Sequence, residues 1–185
     1  MAQNKDLTHS RLADEKFHTD FTEDLAYGDY LNLAELLSAQ KLRSSAHDEM
    51  LFVVIHQCSE LWMKLMIHEL SAAVHLLQQD RLRPALKMTA RVSQIQDQFT
   101  QSWSILATMT PTDYLTFRDT LGAASGFQSF QYRTLEFTMG NKDRKFLGPH
   151  KDRPEWHNTL EAVLNAPSLY DETIMLLARK GFAID

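Results

Sequence analysis

The chain has 185 residues, with 19 basic and 24 acidic side chains and a formal net charge of −5. That length suits one domain of ordinary size, able to bury a core without staples. A hydrophobic share of 44% with 23% charged residues excludes a disordered or collagen-like chain. Six glycines and five prolines are about half the usual share of roughly 12%, so long helices are favoured over many short strands. One cysteine excludes an internal disulfide framework and a Cys-rich zinc or iron–sulfur site. The mild acidity argues against a nucleic-acid surface, which needs a basic excess to neutralise phosphates.

No stretch reaches the ~18 apolar residues that would span a bilayer. Met1 to Phe21 is polar and mixed in charge, without the apolar core of a signal peptide. The expectation is a protein of the reducing cytoplasm, with no membrane partner.

Residues 1–24 are charged and poorly patterned and read as a flexible arm; residues 25–185 read as one helical domain. Tyr27-Gly28-Asp29-Tyr30 precedes Leu31, Leu33, Leu36 and Leu37, whose spacing predicts a short amphipathic helix through Gln40. The strongest signal runs from about His47 to Asp80. Ser45 with Asp48 three places on reads as a capping box. Leu51, Val54, Cys58, Leu61, Leu65, Ala72 and Leu76 then recur at helical steps, with Glu60 and Lys64 as a favourable i,i+4 pair. Between Met50 and Ile67 the helix is apolar on more than one face, which predicts burial on several sides.

Pro84 suits the first turn of the next helix, whose stripe of Met88, Val92, Ile95, Phe99 and Leu106 should end near Thr108. Thr110-Pro111-Thr112-Asp113 combines an N-cap, a proline at the first helical position and an acid at the third. That helix is expected to run to Gly122. A tight small-residue loop, Gly122 to Gly126, leads to a helix from Phe127 to Met139, stopped by Gly140-Asn141. Residues 141–153 read as a basic loop, and two short helices, near 154–165 and 168–180, close the chain. No internal repeat, low-complexity tract or strand stands out. The fold class is all-α, with helices long enough to hint at oligomerisation.

Few residues invite chemistry. His56 sits mid-helix among the most apolar residues, with Phe52 one turn before it on the same face. It reads either as a core histidine with a satisfied ring, or as a neutral imidazole that orients or deprotonates a ligand N–H. Tyr114 and Arg118 are i,i+4, so a phenol and a guanidinium one turn apart could grip a carboxylate, Arg supplying the fork. The plain alternative is an exposed arginine packed on a tyrosine. The loop around Ser125 lies close by in sequence, and its glycines let backbone approach a ligand.

Other motifs fail. His68-Glu69 begins like a zincin, but the next histidine is His75, so metal spacing is missing. No metal-ligand set emerges. His68, His75 and Lys64 read as a solvated face. Gly122 to Gly126 lacks the Lys-Ser/Thr of a phosphate loop. Cys58 reads as core rather than as nucleophile, and Met50, Met63 and Met66 as core filler.

Taken together, these segments resemble the tryptophan 2,3-dioxygenases of bacteria. The resemblance is carried by Tyr27-Gly28-x-Tyr30-Leu31, Leu36-Leu37-Ser38-Ala39-Gln40, and His47-Asp48-Glu49-Met50-Leu51-Phe52 through His56-Gln57 and Ser59-Glu60-Leu61-Trp62. It continues in Thr110-Pro111, Tyr114, Phe117-Arg118-Asp119, Leu121-Gly122, Ser125-Gly126-Phe127-Gln128-Ser129, Gln131-Tyr132-Arg133, Gly140-Asn141-Lys142 and Ala166-Pro167-Ser168-Leu169-Tyr170. Order and near-spacing hold over most of residues 25–180.

The resemblance implies an all-α helical bundle that binds haem b and assembles as a homotetramer. It implies a reaction that inserts both atoms of O₂ across the C2–C3 bond of the L-tryptophan indole, giving N-formyl-L-kynurenine. O₂ is a triplet and indole is not, so a redox metal must carry the oxygen chemistry. Position by position, His56 matches the family's distal histidine, which bonds the indole N–H, and Phe52 would pack on the indole ring. Val53, Val54 and Ile55 accompany them along the substrate side. Arg118 and Tyr114 would bind the carboxylate. Ser125, Phe52 and Trp103 would lie by the haem. Tyr27, Tyr30 and Leu31 would reach over a neighbouring subunit's pocket.

The family's proximal histidine lies on a later helix. None of His9, His18, His47, His68, His75, His150 or His157 has a matching context, so no axial ligand is expected within this chain. The alternatives left open are a haem-free helical module that binds an aromatic amino acid, and a related oxygenase acting on a modified indole.

Overall fold

The computed structural model describes residues 26–184; the expected arm at residues 1–24 lies outside them. The chain divides into two compact units, Met1–Lys41 and Leu42–Asp185. Every regular element among the described residues is helical.

In the first unit the expected amphipathic helix is two short pieces, α1 (Tyr27–Tyr30) and α2 (Leu33–Ser38). They part at Asn32, whose φ of +51° is a left-handed value that asparagine tolerates better than most residues. Its side-chain amide donates to Glu35 at 2.6 Å. Tyr27, Tyr30, Leu31 and Leu37 all remain exposed.

The second unit is built on α3 (Asp48–Gln78), a helix of 31 residues, packed against α4 (Leu82–Leu106) as an antiparallel hairpin. Their seam buries Met63, Met66 and Leu70 of α3 with Val92 and Ile95 of α4; the α4 residues belong to the stripe read from the sequence, whereas Val54, Cys58, Leu61 and Leu65 of the stripe read on α3 are exposed. Five more helical segments follow. They are α5 (Pro111–Leu115), a 3-10 turn (Arg118–Leu121), a second (Gly126–Gln128), α6 (Phe130–Met139), and a third 3-10 stretch (Arg144–His150). Last come α7 (Pro154–Asn165) and α8 (Leu169–Arg179). Both α6 and α8 pack on α3, and α7 packs on α6.

Several expectations need correction. Ser45 and Asp48 do not cap α3; Glu49 does the work instead. Its buried carboxylate accepts the backbone N–H groups of Arg43 and Ser44, each at 2.7 Å, and the Ser44 hydroxyl at 2.5 Å. The Ser44 hydroxyl, followed by the Arg43 N–H, holds that carboxyl below its usual range. The helix after Thr110 does not run to Gly122. Thr110 and Asp113 form the expected capping box, but the α-helix ends at Leu115. Thr116, whose hydroxyl turns back to the Asp113 carbonyl, and Phe117, with ψ of −4°, lead into 3-10 geometry. The helix expected from Phe127 begins at Phe130, because Ser129 caps it through the Tyr132 N–H. The basic loop is largely the third 3-10 stretch, initiated by the Asp143 carboxylate on the Lys145 N–H at 2.9 Å.

Nor is α3 buried all round. Met50, Val54, Leu61 and Leu65 are exposed, and so is Cys58, read from the sequence as core. Elsewhere along its length α3 meets α4, α6 and α8, and near Phe52 it meets α5. Among the described residues α3 is also the one helix long and apolar enough to cross a membrane by length and composition, where the sequence reading found none. Met63 and Met66 are core as expected, whereas Met50 is not. His68, His75 and Lys64 face solvent as expected.

The turn between α3 and α4 is locked from outside. Asp80 takes a φ of +58°. Its carboxylate accepts Arg179 Nε of α8 at 2.8 Å, while Arg179 Nη2 donates to the Leu77 carbonyl at 2.7 Å. Gln78 adds a bond to the buried Glu172 carboxylate at 2.8 Å. A second core, made by Phe137, Leu147, Leu160 and Leu164, joins α6, the third 3-10 stretch and α7.

Candidate functional site

A cavity of about 410 Å³ opens beside α3, within the size range of small-molecule sites. Ile55, His56, Ser59, Glu60 and Met63 line it from α3, and Phe99 and Trp103 from α4. Ser125, Gly126 and Phe127 close it from the loop, and Ser129, Tyr132 and Arg133 from the start of α6. The wall is mainly apolar, with a few polar groups converging on it.

His56 is the best-defined of these. Its Nδ1 lies 2.7 Å from the Phe52 carbonyl oxygen. A carbonyl can only accept, so Nδ1 carries the proton and Nε2 of the neutral ring is left as an acceptor. The ring sits 4.1 Å from that of Phe52, tilted by 35°. Phe52 in turn meets Tyr114 at 5.9 Å and the fully buried Phe117 at 5.6 Å, and Tyr114 packs edge-on to Phe117 at 5.4 Å. This aromatic chain fastens the α5 segment to α3 and brings Tyr114 and the residue after Phe117, Arg118, to the His56 end of α3.

Tyr114 and Arg118 do not share one continuous α-helical face, since the 3-10 turn intervenes. Arg118 is half-buried, and its Nη1 donates to the Gly122 carbonyl at 3.0 Å. That bond holds the fork while leaving its other donors free. Gly122 itself takes a φ of +56°, which a side chain would strain.

Ser125 is both a helix cap and a cavity residue. Its Oγ accepts the Phe127 N–H at 3.3 Å, and its own N–H donates to the Gln128 side chain at 3.2 Å. The hydroxyl proton is therefore available to the cavity. Of the other residues named from the sequence, Ile55 and Trp103 line the cavity. Phe52, Val53, Val54, Tyr114 and Arg118 are outside its lining, with Val54 exposed, so the expected carboxylate clamp does not share the cavity wall with His56. Tyr27, Tyr30 and Leu31 belong to the other unit.

The model of the family described as tryptophan 2,3-dioxygenase matches residues 13–177. The chain belongs to this family. A tryptophan 2,3-dioxygenase of Bacillus cereus (strain ZK / E33L) is 56% identical over 173 residues, covering 94% of this chain and 62% of that protein. The Cupriavidus necator and Burkholderia mallei (strain SAVP1) proteins of the same name are each 57% identical, over 166 and 165 residues. They are covered over 56% and 54% of their lengths. The chain thus spans between half and two thirds of the relatives it matches.

The sequence reading missed how much α6 contributes. Gln131 Nε2 donates to both the main-chain carbonyl and the carboxylate of Glu60, at 2.8 Å each, clamping α6 on α3 behind the cavity. Glu60 is therefore a tertiary acceptor, and the expected pair with Lys64 is not found among the described residues. Arg133 is just 4% exposed, yet it reaches the cavity wall. Its guanidinium stacks over Phe146 at 4.2 Å and pairs with Glu136, and its Nε is buried with no hydrogen-bond partner among the described residues. Lone basic residues give no periodic signal. Only the Gln131-Tyr132-Arg133 motif pointed here.

Proposed function

We propose that this chain forms the distal, substrate-facing part of a haem-dependent dioxygenase that opens the indole C2–C3 bond of L-tryptophan with O₂ to give N-formyl-L-kynurenine. The observation that carries the reading is the pinned imidazole of His56 on an apolar cavity wall. An indole N–H needs an acceptor, and Nε2 is one.

The residues present fit a haem group. Exposed Trp103 and Phe127 offer flat apolar faces to cover. Arg133 supplies a buried cation with an unused N–H, suited to a carboxylate on the edge of an otherwise apolar ligand. Ser125, Trp103 and Arg133 are the residues that would hold the group. When bound, it supplies the redox chemistry that O₂ requires. The chain's own residues do the rest. His56 Nε2 accepts the indole N–H and so fixes which edge of the ring faces the cavity. Phe52 backs the imidazole and packs on the indole. Arg118, steadied by Gly122, and Tyr114 take the substrate carboxylate. The apolar wall excludes water, which strengthens each polar contact. Tyr27, Tyr30 and Leu31, whose side chains stand in water, are assigned to a neighbouring subunit's pocket in a cytoplasmic homotetramer.

The test supplies haem and tryptophan to this chain, alone and co-expressed with the part of the Bacillus cereus relative that it does not cover. A Soret band that shifts on adding tryptophan, with formation of N-formylkynurenine in the completed protein, supports the reading. Calorimetric binding of tryptophan by haem-free chain, with no haem uptake in either form, would replace it with an aromatic amino-acid binding module.

A further inference from the structure

At the corner where residues 144–150 meet α6 and α7, His150 is 2% exposed, and its Nε2 is buried without a hydrogen-bond partner among the described residues. Its ring packs beside two aromatic neighbours that also pack on each other, 6.4 Å from Phe130 of α6 and 6.2 Å from Trp156 of α7. The charged and titratable groups acting on it are Arg133 from α6, and Arg153 and His157 from the start of α7. All are cations or become cations on protonation. The nearby carboxylates are engaged or in solvent. Glu136 is paired with Arg133, Glu161 bonds Arg144 at 2.9 Å, and Asp152 and Glu155 are exposed.

We infer that His150 is a pH-sensitive latch. As a neutral ring it closes the corner between residues 144–150, α6 and α7. Once protonated it forces that corner open and disturbs Arg133 in the cavity wall. A proton on this ring places a charge where little water reaches, among like charges, with no anion to meet it. The competing effect is attraction of the imidazolium to an aromatic face. It is weak here, because both ring centroids lie more than 6 Å away and Arg153 already stacks on Trp156, its guanidinium carbon 4.4 Å from the ring centroid. Burial first, then Arg133, His157 and Arg153, all hold the imidazole's pKa below its ordinary value. Arg133 links the latch to function, since the one guanidinium both acts on His150 and lines the large cavity.

The experiment compares the full chain with His150→Phe, which keeps a flat ring and removes the titration. Urea unfolding between pH 7.5 and 5 should show the wild-type folding constant falling, relative to the variant, by up to about tenfold per pH unit below about 6.5. In parallel, the His150 ring signal, assigned through its backbone by NMR, should titrate below the ordinary histidine value. Amide exchange over residues 154–165 should accelerate as it does. Parallel unfolding profiles for the two proteins overturn the proposal. So does a ring that titrates at or above the ordinary value while exchange stays constant. If His150→Phe does not fold, the wild-type titration and exchange decide alone.

Discussion

The bond from His56 Nδ1 to the Phe52 carbonyl joins two residues one turn apart and decides which face of the imidazole can accept a proton donor. Because the bond is local to α3, it does not depend on a ligand being present. The orientation of the His56 ring is therefore preformed.

In the completed protein, His56→Ala should lower kcat/KM for tryptophan roughly tenfold or more, the worth of one directed hydrogen bond. The unfolding midpoint should change little, since His56 is only half-buried. Steady-state kinetics alongside urea unfolding separates the two effects. Full activity in His56→Ala would remove the assigned role.

Arg133→Met should retain haem about 10–100-fold less well than wild type, the cost of losing one charge-assisted bond of roughly 1.5–3 kcal/mol. The readout is Soret absorbance after passage over a haem-scavenging protein. Unchanged retention would leave Arg133 as a purely structural cation stacked on Phe146.

Gly140 ends α6 with a φ of +122°, and a Cβ there would lie 3.3 Å from the Cβ of Tyr170. Both facts oppose a side chain. Gly140→Ala should cost about 1–3 kcal/mol in urea unfolding. The neighbouring Gly126, where a Cβ meets open space, should accept alanine with far smaller loss of stability.

Ser168 is buried and caps α8, exchanging bonds with Asp171 in a capping box. Ser168→Ala should destabilise the fold by about 0.5–2 kcal/mol. The backbone N–H of Ser168, then its hydroxyl, hold the Asp171 carboxyl below the ordinary range. That contribution is present above the ordinary carboxylate value and is lost as pH falls through the lowered one. The variant should therefore be less sensitive to acid, with the Asp171 carboxyl titrating nearer its usual value in a carbon-detected NMR titration.

How much of this was readable without coordinates follows from the range of each interaction. The α4 side of the seam was legible because Val92 and Ile95 repeat at the helical period, whereas the stripe read on α3 through Val54, Cys58, Leu61 and Leu65 is exposed. The cap at Thr110 depends on a neighbour three residues on. Breaks set by backbone geometry were not legible. The 3-10 turn after Thr116 leaves the residue spacing of Tyr114 and Arg118 unaltered while changing their relation in space. The buried Glu49, the Gln131–Glu60 clamp and the Arg133 guanidinium depend on partners that periodicity does not encode. The same limit explains why α3 read as buried all round: an apolar face shows that water is avoided, but not what covers it. Within the site, His56, Ile55, Trp103 and Ser125 were placed on one cavity by sequence, whereas the contribution of α6 was not.

Trp103 lines the cavity with more than half of its side chain exposed. It is the same bicyclic ring as the proposed substrate, tethered beside the proposed place of reaction. A catalyst that cleaves free indoles therefore carries a potential victim in its own wall. During long incubation without tryptophan, oxygen should be incorporated at this position before Trp62, whose ring packs against the core, and peptide mass spectrometry would read the order of damage directly.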